Sequence, residues 1–422
     1  MPRTTTLKIA FAAFTVAQLV SIFGDRLHQF SVVGMIGRVA PGSAAELFQF
    51  ALFSHLPILL FAPFLGSLVD RTNRVVVLVV VDAIRGMLVV FIPTLYHSMG
   101  SLYAFYIPVF FLSLANLLFA PAKSAVIAEF FEPLKLLRIN AILWGLGIVG
   151  TIGGFVAGGW FFDYRSWETS FYSDAASYLV SVLFLLPLFL IPRGRKGLPS
   201  SAGVEATSPP APTAQPTRRR SGILGLTASF REGIEVIRAD RRIAYSLIAQ
   251  TSLLGVFGIV YAAGVARIQE VLPAGRTIYL SAIATSGTVG LLAGSGVATL
   301  THGRVTFNRI ISVSTLVLGI ALAGVSHSHS LALFIAWTFL LGLAFSPIMV
   351  VTETLLQIHT PNAFRGRVFT AREAATKVSF LAMSFVATLS SSVVDKPVVI
   401  LATGVVLAAV AVWVERRDYL KV

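Results

Sequence analysis

The chain is predicted to be an all-α polytopic membrane protein of twelve spans, and three observations predict it. First, 56% of its 422 residues are hydrophobic and only 12% are charged, with a mean hydropathy of +0.82. A soluble protein of this length needs far more polar surface to cover its core. Second, apolar runs of roughly 20 residues, long enough to cross about 30 Å of hydrocarbon, recur from end to end. Third, the runs are continuously apolar instead of alternating, which predicts helices and excludes a barrel.

The spans are placed at roughly 8–37, 46–69, 75–97, 102–130, 138–163 and 168–192, then 242–270, 276–301, 307–325, 331–357, 367–394 and 397–414. The first run passes Asp25 and reaches Gly37 without a small-residue cleavage pattern, so it is expected to be retained as a span and not removed as a signal peptide. Residues 193–222 are rich in Pro, Ser and Ala and end in Arg218-Arg219-Arg220, a composition that buries no apolar surface and predicts a disordered linker. Apolar residues at helical spacing from Ile223 to Asp240, with Arg231, Glu232, Glu235 and Arg238 between them, predict an amphipathic interfacial helix. The expected organisation is therefore a six-helix bundle over 1–192, the linker, the interfacial helix over 223–240, and a second six-helix bundle over 241–422.

Charge sorts by side. Arg71, Arg74, Lys135, Arg138, Arg304, Arg309, Arg365, Arg367, Arg416 and the basic residues of the linker fall on one side, with Arg3 and Lys8. Only Arg38, Arg165, Arg267, Arg276 and Lys396 fall on the other. The positive-inside rule then predicts cytoplasmic termini and a cytoplasmic linker. The net charge of +14 is on this reading a topology signal, and no nucleic-acid partner is expected. The chain has no Cys, which excludes disulfides and thiolate metal sites.

Ionisable residues inside a span cost about 2.5–3.5 kcal/mol each on insertion scales, so each one needs a reason. Gln18, Ser21, Asp25, His28 and Gln29 form one polar stripe on the first span. Asp25 reads as a proton- or substrate-binding carboxylate with His28 nearby, or as one member of an ion pair holding the bundle together. Lys123 shares a helical face with Asn116 just beyond Pro121; it reads as a cation for an anionic headgroup, a partner for Asp25, or a snorkelling side chain. Asp82 with Arg85, and Glu373 with Lys377, are spaced for local ion pairs. Asp174 lies among Ser173, Ser177 and Ser181, with either a functional or a structural role open. Glu129 and Glu353 are placed to pair with Arg71, Arg74, Arg365 or Arg367 and latch one face shut.

Gly145-Leu-Gly147-Ile-Val-Gly150 has the form of a dinucleotide motif, but no strand precedes it and it lies within an apolar span. Close helix packing through Gly150, Gly154, Gly158 and Gly159 is the better reading. His327 and His329 lack a third ligand, and no metal or other cofactor is expected. No nucleophile–base–orienter set is apparent, so an enzyme is not expected.

Gly66-Ser-Leu-Val-Asp70-Arg71-Thr-Asn73-Arg74 resembles the loop between helices two and three of the major facilitator superfamily, Gly-xxx-Asp-Arg-x-Gly-Arg-Arg. Asn73 stands for the second Gly as the next-best residue for a left-handed turn, and Val75 for the last basic residue. Phe119-Ala-Pro121 in span four is echoed by Phe345-Ser-Pro347 in span ten. The resemblance implies the superfamily's fold: two pseudo-symmetric six-helix bundles around a central cavity. Gly150-xxx-Gly154-Phe155-Val-Ala-Gly158-Gly159 is similar to its antiporter motif, with Phe155 for Pro. The Gln357 to Phe369 stretch resembles macrolide and siderophore exporters; Phe119 to Lys123 with Leu137-Arg138-Ile-Asn140 resembles lysophospholipid transporters, where Trp144 replaces a usual acid.

The implied function is a secondary transporter working by alternating access, exporting an amphiphilic small molecule in exchange for protons. Asp25 would be protonated, with His28, Gln29, Asn116, Lys123 and Asp174 around the cavity. Gly66, Asp70, Arg71 and Arg74 would control the inner gate, Asp70 capping the start of span eleven. The alternatives are a lysophospholipid flippase and a non-transporting receptor or scaffold. The expected partners are the substrate, protons and the bilayer, and the expected state is a monomer.

Overall fold

The apolar runs become twelve long helices among the described residues of a computed structural model. That structure describes residues 3–69, 72–130, 133–190, 235, 237–272, 276–301, 304–361 and 364–416, with side chains from 11 onward except at 62–69, 128–130, 133–138, 140, 141 and 190. The first six are α1 (Arg3–Val39), α2 (Ala44–Val69), α3 (Arg74–Met99), α4 (Tyr103–Phe130), α5 (Pro133–Tyr164) and α6 (Trp167–Leu185), the last running into a 3₁₀ turn at Leu186–Leu190. The second six are α7 (Arg241–Val271), α8 (Thr277–Thr301), α9 (Phe307–Ser326), α10 (Leu331–His359), α11 (Arg365–Ser391) and α12 (Lys396–Arg416). Helices α2 to α12 are each long and apolar enough to cross a membrane. In α1, at 37 residues also long enough, Gln18, Asp25, Arg26, His28 and Gln29 interrupt the apolar composition.

Helix ends follow local chemistry. Asn73 sits in extended backbone (φ −69°, ψ 112°) and its side chain accepts from the Val75 N–H at 3.2 Å, capping α3. The left-handed turn expected there is not formed: the side chain serves as a helix cap, a role for which Asn is among the best residues. Gly100 does take up the left-handed region, at φ 59°, and ends α3. Asp240 caps α7 by accepting from Arg242 N–H at 2.7 Å. The predicted linker at 193–222 and the interfacial helix up to residue 234 lie outside the described residues. Ile237 is helical and packs against Ile243, Leu356 and Val368.

Within the first half α1 packs on α5 and α6, α2 on α4, and α3 on α4 and α6. The second half repeats this with α7 on α11, α8 on α10, and α9 on α10 and α12. Between halves, α5 meets α8 and α2 meets α11, two contacts that a pseudo-twofold axis exchanges. Call the face holding the start of α1, the end of α12 and the α6–α7 connection the near face, and the opposite one the far face.

Candidate substrate and proton site

The site is built where α1, α3 and α4 turn polar side chains toward one another at mid-depth. A cavity of about 390 Å³ there is lined by Gln18, Ser21 and Asp25 from α1, Arg85 from α3, and Asn116, Phe119 and Lys123 from α4. The helical spacing on α1 accounts for its contribution, since residues three and four apart share a face. Asn116, Phe119 and Lys123 repeat that spacing on α4. The cavity is of the size that holds a small molecule, about 300–1,000 Å³.

Each charge on this wall has a definite partner or lacks one. Asp25, half-buried, accepts a hydrogen bond from the Tyr178 hydroxyl of α6. Arg85 is 1% exposed. It donates to Asp82 at 3.3 Å and to Asn116, and its guanidinium stacks 4.4 Å over the Phe119 ring. Asp82 also accepts from Ser181 at 2.7 Å. The Arg85 Nε and the Gln18 Nε2 have no hydrogen-bond partner, two donors left unmet at the wall of a cavity. Lys123 projects into the same space.

The predicted site residues are thus partly assembled and partly redistributed. Asp25, Asn116 and Lys123 come together at the cavity. His28 and Asp174 do not line it; they pair with each other behind the wall, Nδ1 to Oδ2 at 2.5 Å. Gln29 also turns away, accepting from Arg26 at 2.8 Å. A helix presents only part of its circumference to one space, and residues 28 and 29 have rotated past it. Sequence reading missed Arg85, placed by its spacing as a mere partner for Asp82, and Tyr178. An i,i+3 pair can satisfy one edge of a guanidinium and leave the rest to other helices, and that was the available signal.

The gate residues fare similarly. Glu353 pairs with Arg372, outside the predicted set of Arg71, Arg74, Arg365 and Arg367, and accepts from Gln250 and Gln357 at 3.2 Å each. Arg372 lies 19 residues on, where α11 packs beside α7 and α10. Arg365 donates to the Gln357 carbonyl at 3.2 Å and Arg367 lies 5.4 Å over Phe364. Gly66 is in the last turn of α2 and Arg74 begins α3. Asp70, Arg71 and the side chain of Glu129 lie outside the described residues. Glu373 and Lys377 form their local pair at 3.6 Å.

Four glycines of α5, at 150, 154, 158 and 159, set how close its neighbours come. A Cβ at Gly150 or Gly158 would stand 3.1 Å from the carbonyls of Leu19 and Leu27, and one at Gly154 would overlap that of Phe23. Those three seat α5 on α1. Gly159 faces the other half instead, against Ser281 and the Ile278 backbone of α8.

At the far face the two halves are joined by polar contacts that no spacing rule foretold. Asp163, in the last turn of α5, accepts from the backbone N–H groups of Thr277 and Ile278 at 2.9 and 2.8 Å, capping α8 across the interface. Gln269 donates to the Val33 carbonyl at 3.1 Å and Thr388 to that of Ala44 at 3.2 Å. One apolar core beneath them includes Met35, Leu47 and Phe50 of the first half with Ala262, Ile268 and Leu322 of the second. Toward the near face the cores separate: Phe14, Leu78 and Val126 belong to one, Ile310, Val351 and Leu355 to another. Among the described residues, the hydrogen bonds between the halves lie at the far face.

Two symmetry-related contacts between six-helix halves, with a polar cavity among α1, α3 and α4, fit a membrane transporter of the six-plus-six type. The chain belongs to the Major Facilitator Superfamily, whose sequence model matches residues 9–304. It is 24% identical over 370 residues to "Uncharacterized MFS-type transporter YfiS" of Bacillus subtilis (strain 168), covering 86% of this chain and 82% of that one. It is 22% identical over 355 residues to "Putative bacilysin exporter BacE" of the same strain, covering 83% and 81%. In structure it resembles the nucleoside transporter NupG (TM-score 0.67, 14% identity, 99% of this chain and 100% of that one). It also resembles a bacterial homolog to the human lysosomal transporter Spinster in an inward-facing, unoccupied conformation (TM-score 0.64, 15% identity, 98% and 97%).

Proposed function

We propose that this transporter exports an amphiphilic small molecule in exchange for protons, by alternating access, from the cytoplasm across a bacterial inner membrane. The near face is then cytoplasmic, as the distribution of Arg and Lys supports, and the described conformation is inward-facing. Export is supported by the relative named as an exporter and by the glycine pattern of α5. The observation that carries the reading is the placement of Asp25: an ionisable group on the cavity wall, half-buried, with a single hydrogen bond from Tyr178. Neutralising such a group changes what the cavity attracts, and one proton moving down a gradient supplies about 1.4 kcal/mol per pH unit. Phe119 and Ala120 offer apolar contact beside these charges.

The test is Asp25→Asn in proteoliposomes. Transport driven by a proton gradient should be lost while substrate exchange without a gradient persists. Undiminished gradient-driven transport would remove Asp25 from the coupling role.

A second reading is favoured by the two cations on one wall. Arg85 and Lys123, with the unmet Gln18 amide, suit an oxyanion, so a lysophospholipid headgroup is the alternative cargo. Labelled lysolipid whose movement survives collapse of the proton gradient would favour a flippase over an antiporter.

A further inference from the structure

A second pair of ionisable groups lies behind the cavity wall. His28 on α1 and Asp174 on α6 meet at 2.5 Å, and Ser177 donates to the other carboxylate oxygen at 3.2 Å. Asp174 is 0% exposed and His28 4%. The helices come this close because residue 24 is Gly: a Cβ there would overlap both the Asp174 carboxylate and the Ser177 hydroxyl.

The charged groups acting on His28 from its own helix are Asp25 and Arg26, and from α6 Asp174. Tyr178 of α6 stands between the pair and the cavity, donating to Asp25. Asp82 and Arg85 of α3 and Lys123 of α4 act on this cluster through Asp25. From α5, Gly147, Gly150, Gly153, Gly154, Gly158 and Phe155 approach this stretch of α1, and none of these is titratable.

A neutral imidazole, even one donating its Nδ1–H, would leave Asp174 an anion sealed from water, with the Asp25 carboxylate about one helical turn away. A lone buried charge is the costly case inside a span. One further proton on the pair, giving imidazolium with carboxylate or imidazole with carboxylic acid, removes it. We propose that His28 and Asp174 form a second proton-binding site, distinct from Asp25, which holds one proton while the far face is closed. The proton comes from water and returns to it, and no electron moves. The inference rests on the proton-coupled reading above.

The test has a spectroscopic arm and a transport arm, both on the full chain in lipid. At about pH 8, where an exposed imidazole is neutral, ring-¹⁵N histidine spectra assigned with His28→Gln should show a doubly protonated His28. Otherwise infrared spectra should show a carboxylic acid band that Asp174→Asn removes. Either signal places the proton on the pair, and the absence of both overturns the proposal. In proteoliposomes, both variants should keep gradient-free substrate exchange and lose about tenfold in acceleration per pH unit of gradient. Unchanged acceleration in both overturns it as well. Failure of the wild type to exchange substrate would instead mark failure of the transport reading, to which the spectra are indifferent. Should Asp174→Asn not fold, His28→Gln carries both arms, with infrared assignment by Ser177→Ala, which should shift the band.

Discussion

At the far face, helices from opposite halves share side-chain-to-backbone hydrogen bonds and one apolar core, while toward the near face the described buried cores are separate. Asp163 caps α8 across the interface, whereas Glu353 and Arg372 stay within the second half. The far-face bonds are few and directional, and those to Asp163 are charge-assisted, which makes them specific to one arrangement and cheap enough to break. A gate that alternates needs a difference of only a few kcal/mol between its states. The sequence resemblance expects the same device on the near face, Asp70 capping α11, so an acid on a helix end would close each side in turn.

The largest effect expected from breaking this arrangement is at Gly159. A Cβ there would stand 2.9 Å from the Ile278 Cα as well as overlap Ser281, and backbone cannot rotate aside. Gly159→Val should cost the closed far face about 1–3 kcal/mol, a shift of up to roughly a hundredfold in the population of the two states. Because the chain has no Cys, pairs of introduced cysteines across the far face can carry spin labels without background. Their distances should lengthen in Gly159→Val and stay unchanged in Gly154→Ala, which disturbs only the α1–α5 contact within one half.

Next comes Asp163→Asn, which keeps the shape and removes the charge. Hydrogen bonds to a charged group contribute about 1.5–3 kcal/mol against about 1 for neutral ones, and the helix N-terminus adds about 0.3–1. The same spin-label distances should show the far-face-closed population falling by about tenfold. An unchanged distribution would mean that the shared apolar core holds this face without the cap.

How much of this was legible differs by range. Spans are local in composition, and most of their ends were placed to within a few residues; the largest differences are the end of span six, 192 against Leu185 where a 3₁₀ turn takes over, and starts at 8 and 138 against Arg3 and Pro133. The stripe on α1 and the Asn116–Lys123 face were also local, and Gln18, Ser21 and Asp25 of the stripe meet that face at the cavity while His28 and Gln29 do not. Arg85 was legible only in part: the spacing to Asp82 is in the sequence, but the reach to Asn116 on another helix is not. Asp163 and Thr277 are far apart in the chain, and no periodicity connects a carboxylate at one helix end to backbone groups at another. The pairing of His28 with Asp174 was hidden for the same reason, although both had been picked out singly by their burial cost.

The smallest effect tests whether near-face chemistry is as local as the comparison says. Asn73 accepts from the Val75 N–H at the start of α3 and sits in extended backbone, not in the left-handed region. Asn73→Gly, the residue of the superfamily pattern, should therefore lose the side-chain bond and cost only a few tenths of a kcal/mol, while Asn73→Ala should cost about 1 kcal/mol. Thermal unfolding in lipid would rank the three as wild type, Gly, then Ala. Had this position needed a left-handed turn, Gly would exceed the wild type. Far-face spin-label distances in the same three variants show whether loss of this cap reaches the other half.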